Sequence, residues 1–284
     1  MRIVRTVAEL RALLDDERRA GRTVGLVPTM GYFHEGHASL MRRARDACDV
    51  VVVSLFVNPT QFDDPADLVA YPRDEARDAS VAAVAGVAYL FAPEPAEIYP
   101  PGFATSVTVA RVTEPMEGAQ RGPGHFRGVA TVVAKLFNIV QPHAAFFGQK
   151  DAQQALVVRR MARDLDFRLR VEVCPTVREP DGLAMSSRNV RLDADARRRA
   201  VALARGLEAA RSRVLDGATN AVDVVATGRD AMRALDVEPE YFEVVSADTL
   251  EPVDPLAGEL LVAVAARVGG VRLIDNVLVD AGAR

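Results

Sequence analysis

Cysteine is scarce in this chain of 284 residues: only Cys48 and Cys174 occur, both in or beside apolar stretches. Two such thiols do not make a disulfide framework, and they read as reduced core residues of a cytoplasmic protein. Long apolar runs are also missing. None approaches the ~18 residues that a bilayer-spanning helix needs. The opening MRIVRTVAEL breaks its apolar pattern with charges, unlike a secretory signal. Nor is there an excess of positive charge: 35 Lys and Arg face 39 Asp and Glu, for a net charge of −4. That balance speaks against a nucleic-acid or membrane-surface binder. The run Arg197-Arg198-Arg199 is interleaved with Asp193, Asp195 and Glu208 and reads as a solvated helix face. Internal repeats, low-complexity segments and the GxxxxGKS/T phosphate loop are absent.

What is present fits an ordinary globular enzyme of two domains, with 49% hydrophobic and 26% charged residues. Helical spacing over 6–20 is followed by an apolar strand at 23–28. A helix at 37–48 leads into the β-branched run 50–57, the pattern of a strand buried on both faces. Further helices are predicted at 73–86, 127–141 and 151–165, alternating with strands at 87–92, 144–147 and 168–174, and 93–102 reads as a loop. Such alternation predicts an α/β fold, a Rossmann-like doubly wound parallel sheet whose ligands bind beyond the carboxyl ends of the strands. After about residue 177 the pattern changes to helices at 194–215 and 220–235, then strands at 240–246, 259–266 and 271–279. The expectation is a Rossmann-like ligand-binding domain over 1–176 and a smaller C-terminal α+β domain, a candidate lid, over 177–284.

Five clusters carry possible chemistry, four of them at those favoured positions. The run PTMGYFHEGH at 28–37 follows a strand and opens a helix near Gly36, so unpaired backbone N–H groups and the helix dipole favour an anion there. His34 and His37 are both placed to meet it. Their spacing is not HExxH and no third ligand lies nearby, so a phosphate explains them better than zinc. At 58–62, Asn58 and Gln61 offer uncharged amides to hydroxyl and carboxylate groups, although Asn before Pro is also a common turn. The helix after GHFRG at 124–128 carries Val129, Val132 and Val133 on one face, either core or a pocket wall. In FFGQKDAQQ at 146–154, Lys150 can neutralise phosphate charge, and Asp151 reads equally as a helix N-cap or a ribose ligand. Gln154 follows one turn later. Last, Met185-Ser186-Ser187-Arg188-Asn189 offers hydroxyls and a guanidinium suited to bidentate phosphate contact, or merely a capping segment.

Taken in order, PTMGxxHxGH, FVNPxQF, GHFRGVxT, FFGxKDxQQ and GLAMSSRN resemble the pantoate–β-alanine ligase family, within the wider group of HxGH nucleotidylyltransferases. Arg272-Leu273-Ile274-Asp275-Asn276 is also similar to the family. The resemblance implies condensation of (R)-pantoate with β-alanine, ATP being cleaved to AMP and pyrophosphate through a pantoyl adenylate. Residues 1–176 would then be the ATP- and pantoate-binding domain. The resemblance implies an ATP site from Met30, Gly31, Tyr32, Phe33, His34, Glu35, Gly36 and His37, with His37 as the family's proton donor. Gln149 would join it, Gly148 and Asp151 would hold the ribose, and Val177 would offer backbone bonds to adenine. Lys150, Met185, Ser186, Ser187 and Arg188 would face the transferring phosphate. Gln61 and Gln154 would bind pantoate, Gln61 also serving β-alanine, with Asn58 and the three valines completing the pocket. Mg²⁺ would ride on the ATP phosphates, Asp78 being a candidate neighbour, and a homodimer is implied. Thr60, Gln149 and Ala152 depart from the family's usual Met, Glu and aromatic. Another HxGH nucleotidylyltransferase and a non-catalytic nucleotide sensor are the alternatives, separated by AMP release that depends on both acceptor substrates.

Overall fold

The computed structural model describes residues 1–62 and 65–282. Its strands are β1 (Arg2–Val4), β2 (Val24–Thr29), β3 (Val50–Leu55), β4 (Tyr89–Phe91), β5 (Ala144–Gly148), β6 (Arg170–Cys174), β7 (Pro239–Ser246), β8 (Glu259–Val268) and β9 (Val271–Asp280). Its helices are α1 (Val7–Arg19), α2 (Glu35–Ala47), α3 (Pro65–Ala70), α4 (Glu75–Val84), α5 (Pro95–Ile98), α6 (Glu117–Arg121), α7 (Pro123–Val140), α8 (Ala152–Asp164), α9 (Ala194–Arg199), α10 (Ala202–Leu215) and α11 (Ala221–Arg233). Contacts divide the chain into two compact units. One comprises Met1–Gln149 and Gln153–Pro175; the other comprises Thr176–Arg284 together with Lys150–Ala152.

The first unit holds a six-stranded sheet in the order β1-β4-β3-β2-β5-β6, parallel throughout. Alternation along its central strands explains the double winding. Val24, Leu26, Val50 and Val52 join one core with Leu10 and Leu14 of α1 and the apolar stripe of α7. Val27, Val51 and Val53 join another with Leu40, Met41 and Ala44 of α2 and Ala82 of α4. Period-two side chains thus bury both faces of the sheet. Successive crossovers run from β2 outward to β3 and β4, and in the other direction to β5 and β6. The sheet order therefore reverses between β2 and β5, whose carboxyl ends carry PTMGYFHEGH and FFGQKD. A parallel sheet presents its ligand crevice at such a switch point.

In the second unit, β7, β8 and β9 form an antiparallel sheet. Its core joins Leu203, Leu207 and Ala210 of α10 and Val224 and Met232 of α11 to Phe242, Val262 and Val264 of the sheet. These findings match the expected fold class. Differences are local. β1 escaped prediction because three residues show no periodicity. The segment 93–102 contains α5, which opens on Pro95 at its first position. The helix expected over 194–215 is two, and the chain tightens between them, where Leu203 N–H reaches the Ala200 carbonyl. No helix among the described residues is long and apolar enough to cross a membrane.

Candidate active site

The PTMGYFHEGH segment leaves β2 through a strained turn. Gly31 and Tyr32 have φ of +91° and +53°, a region that costs a non-glycine residue energy unless its surroundings enforce it. Asp78 of α4 enforces it. Its Oδ2 accepts from Tyr32 N–H at 2.7 Å and its Oδ1 from Phe33 N–H at 2.6 Å. A Cβ on Gly31 would lie 2.5 Å from Leu55 Cδ1 and 2.9 Å from Asp78 Oδ2, so glycine is required for space as well. Asp78 is 1% exposed; burial pushes its carboxyl up, while the two N–H bonds hold it down. Each carboxylate oxygen thus accepts one N–H of the turn.

His34 is the N-cap of α2, whose first residue, Glu35, lies two positions before the start predicted at 37. Its Nδ1 accepts from Gly36 N–H at 3.1 Å, and His37 Nδ1 accepts from His34 N–H at 3.3 Å. This is a capping box built from two imidazoles. Accepting at Nδ1 assigns the ring proton of each to Nε2. The rings lie 4.1 Å apart between centroids, and Phe33 packs on His37 at 5.4 Å. Phe33 itself is fully buried in the core, and Glu35 is exposed and paired with Arg42. Both side chains serve α2, Phe33 through packing and Glu35 through its ion pair. Met30 is half-buried at the strand end, and Tyr32 lies beneath the Arg77 guanidinium at 5.1 Å.

The 58–62 segment is a single turn of 3-10 helix, Pro59–Gln61. Asn58, 1% exposed, has no polar atom to spare. Its Oδ1 accepts from Thr60 N–H at 3.4 Å, Thr60 Oγ1 at 3.0 Å and the Tyr99 hydroxyl at 2.8 Å. Because a backbone N–H can only donate, this contact assigns the amide's orientation. Nδ2 then donates to the Gly128 carbonyl at 3.2 Å and to Gln61 Oε1 at 3.0 Å. Gln61 is left with Nε2, which has no partner among the described residues and is aimed as a donor. Asn58 thus orients Gln61. Burial pushes the Tyr99 phenol up, keeping it protonated and donating. His125 adds a further brace from its buried Nδ1 to the Gln61 carbonyl at 2.9 Å. Thr60, unusual in the resemblance, is absorbed by this network.

On α7, Val129, Val132 and Val133 are 2, 6 and 4% exposed and belong to the main core. They pack α7 against the sheet and hold it in place. After β5, a Cβ built on Gly148 meets nothing within 4 Å. Protein packing does not demand glycine there, whereas a ligand lying against the backbone would. Gln149 and Asp151 follow in a 3-10 turn leading to α8. Gln153 is spent on the fold, donating to the Val112 and Pro115 carbonyls and accepting from Glu117 N–H. Gln154 is half-buried and makes no hydrogen bond among the described residues.

In the second unit, Lys150 Nζ is 3.3 Å from Asp151 Oδ1, the lysine side chain being 18% exposed. Residues 177–185 form a tight hairpin: Met185 N–H donates to the Val177 carbonyl at 3.0 Å, and Glu179 N–H to the Leu183 carbonyl at 2.8 Å. The Val177 N–H has no hydrogen-bond acceptor among the described residues. Ser186 caps the turn Ser187–Arg191, its Oγ accepting from Arg188 N–H at 3.2 Å, and the buried Ser187 hydroxyl has no partner among the described residues. Sequence reading missed Asp78, Tyr99, His125 and Arg178 as organisers. The signal for Asp78 and Tyr99 is faint, since each lies far in sequence from what it holds. His125 alone sits in a motif.

A family model described as pantoate-beta-alanine ligase matches residues 2–278. Among curated relatives, a pantothenate synthetase of Cereibacter sphaeroides is 54% identical over 276 residues, covering 97% of this chain and 98% of its own. One of Acetivibrio thermocellus is 48% identical over 287 residues, covering 99% and 100%. Among solved structures, a pantothenate synthetase of Thermus thermophilus superposes with a TM-score of 0.92 at 49% identity, covering 98% of this chain and 99% of that one. A pantoate-beta-alanine ligase of Francisella tularensis, complexed with beta-gamma ATP and beta-alanine, superposes with a TM-score of 0.78 at 31% identity, covering 98% and 97%.

Proposed function

The chain belongs to the pantoate–β-alanine ligase family, and we propose that the residues described above divide that family's reaction between binding and charge stabilisation. The reaction joins (R)-pantoate to β-alanine with ATP, releasing AMP and pyrophosphate. Carboxylates are poor electrophiles, so a pantoate oxygen first attacks the α-phosphorus as the bond to the β-phosphate oxygen breaks. Pyrophosphate leaves and pantoyl adenylate remains. The free amine of β-alanine then attacks the acyl carbon, AMP leaves with that carboxylate oxygen, and the nitrogen loses a proton.

The first step gathers negative charge around the α-phosphate and pyrophosphate. Preorganised donors are the device that lowers such a barrier. His34 and His37 would give Nε2–H bonds at the start of α2, charge stabilisation being the larger part of His37's role. Lys150, Ser186, Ser187 and Arg188 would stabilise the moving phosphoryl group and pyrophosphate. Gly148, Gln149 and Asp151 would lie along the ribose, and Val177 N–H would serve adenine. Gln61, through Nε2, and Gln154 would hold pantoate oxygens. Among the described residues no group of three or more His, Cys, Asp or Glu side chains could hold a metal ion. Mg²⁺ would enter with the ATP phosphates, where it keeps waters and takes few protein ligands, and no step is assigned to it.

The observation that carries this reading is Gln61, an amide aimed as a donor by a fully satisfied Asn58. A nucleotidylyltransferase without an acyl acceptor has no need of it. The test is an assay with all three substrates. AMP and pyrophosphate should form only when both pantoate and β-alanine are present at multiple turnover, and ADP would overturn the acyl-adenylate route. The free, buried Cys48 and Cys174 support a cytoplasmic setting. A homodimer, supported by the family resemblance, should sediment at about twice 30.6 kDa at micromolar concentration; a monomer would refute it.

A further inference from the structure

The dipeptide Asp275-Asn276 of β9 has no place in the reaction above, yet both residues are 4% exposed in a strand whose neighbours are apolar. Burying a carboxylate is costly unless it is paired. Its partner is Arg178, in the hairpin that carries the Met185–Arg188 loop. Nη1 donates to Asp275 Oδ2 at 2.6 Å and Nη2 to Oδ1 at 3.0 Å, a two-pronged contact. The same guanidinium also reaches the Gly182 carbonyl at 3.0 Å and the Asn276 carbonyl at 3.3 Å. One side chain thus closes the hairpin and fastens it to β9. Asn276 turns the other way: its Nδ2 donates to the Lys150 carbonyl at 2.9 Å. Adjacent residues of one strand therefore hold the backbone of Lys150 and the base of the Ser186–Arg188 loop. The sheet supplies rigidity, since Asp275 and Asn276 pair with Val264 and Ala263 of the central strand β8.

We propose that Asp275 and Asn276 are positioning residues for adenylation, setting Lys150 and the Met185–Arg188 loop in one register so that their charges meet the same phosphates. The proposal rests on the ligase reading. Neither residue need touch substrate. A cation displaced by about an ångström loses much of its effect on a transition state, at a cost of up to ~100-fold. The second half-reaction, with pyrophosphate already gone, leans on these cations far less.

The experiment compares native protein with Asn276→Ala and Asp275→Asn. Single-turnover pyrophosphate release from ATP and pantoate is followed separately from the reaction of preformed pantoyl adenylate with β-alanine. Adenylation should slow at least ~10-fold in both variants while the second half-reaction stays within about twofold. A purely architectural role would lower Tm and move both half-reactions together or move neither, and either pattern overturns the proposal. If Asp275→Asn does not fold, because Arg178 is left unpaired, Asn276→Ala decides alone. Native protein that forms no AMP would refute the ligase reading; normal native turnover with unshifted variants would refute only the positioning role.

Discussion

An imidazole that accepts a backbone N–H at Nδ1 keeps one ring proton, and that proton sits on Nε2. His34 and His37 both accept in this way, so the helix cap itself selects the tautomer that offers donors to an anion. The remaining histidines obey the same logic with other outcomes. His143 Nδ1 accepts from Val24 N–H at 2.9 Å and ties the start of β2, whereas His125 Nδ1 must donate, because its partner is a carbonyl. Residue type alone did not separate these uses. Asn58, Gln61, Gln153 and Gln154 are all amides near a strand end, yet two are consumed by the fold and two retain donors. What distinguishes them is the count of satisfied atoms, which depends on Tyr99, Gly128, Val112 and Pro115, all distant in sequence. Asp78 is another case. Nothing in the sequence around this acidic residue of α4 signals its two partners, the N–H groups of Tyr32 and Phe33.

Elements meet most closely where a glycine lets them. α7 approaches the Pro59–Gln61 turn so tightly that a Cβ on Gly128 would stand 2.2 Å from the Thr60 carbonyl oxygen and 2.8 Å from Gln61 N. Backbone on the receiving side cannot swing away like a side-chain tip. Gly128→Ala should therefore push the turn outward, at about 1–3 kcal/mol of stability for overpacking. It should also disturb the Asn58–Gly128 bond that aims Gln61. The expected outcome is a pantoate KM raised at least ~10-fold with a smaller change in the KM for ATP, read by initial-rate kinetics alongside a melting curve. An unchanged pantoate KM would show that α7 does not set Gln61. At this scale much was legible in the sequence. Val50 to Val53 announced a strand buried on both faces, and helix–strand alternation implied the parallel sheet and its switch point. Helix starts were less legible, because caps depend on single atoms: His34 caps α2 with a ring nitrogen. Short pieces such as β1 and α5 lack the length for periodicity to show.

Across the whole molecule, the proposed binding residues Gln61 and Gln154 belong to the first unit, while Lys150, Ser186, Ser187 and Arg188 belong to the second. The chain trace places Lys150 at the end of a strand of the parallel sheet. Its contacts, including the Asn276 bond to its carbonyl, place it with the antiparallel sheet. This division has a kinetic counterpart. Uncharged amides hold pantoate about equally before and during phosphoryl transfer, and losing such a contact raises KM more than it lowers kcat. A lysine that meets charge developing on phosphate acts mainly in the transition state, and losing it lowers kcat. Lys150→Ala should therefore slow single-turnover adenylation at saturating pantoate at least ~100-fold, or about 2.7 kcal/mol. Gln154→Ala should act mainly on the pantoate KM. The two effects are read by varying pantoate at fixed saturating ATP in each variant. Near-normal adenylation in Lys150→Ala would remove that residue from the charge-stabilising set. A Gln154→Ala variant with native pantoate KM but depressed kcat would reverse its role from binding to chemistry, and the partition between the two units would fail with it.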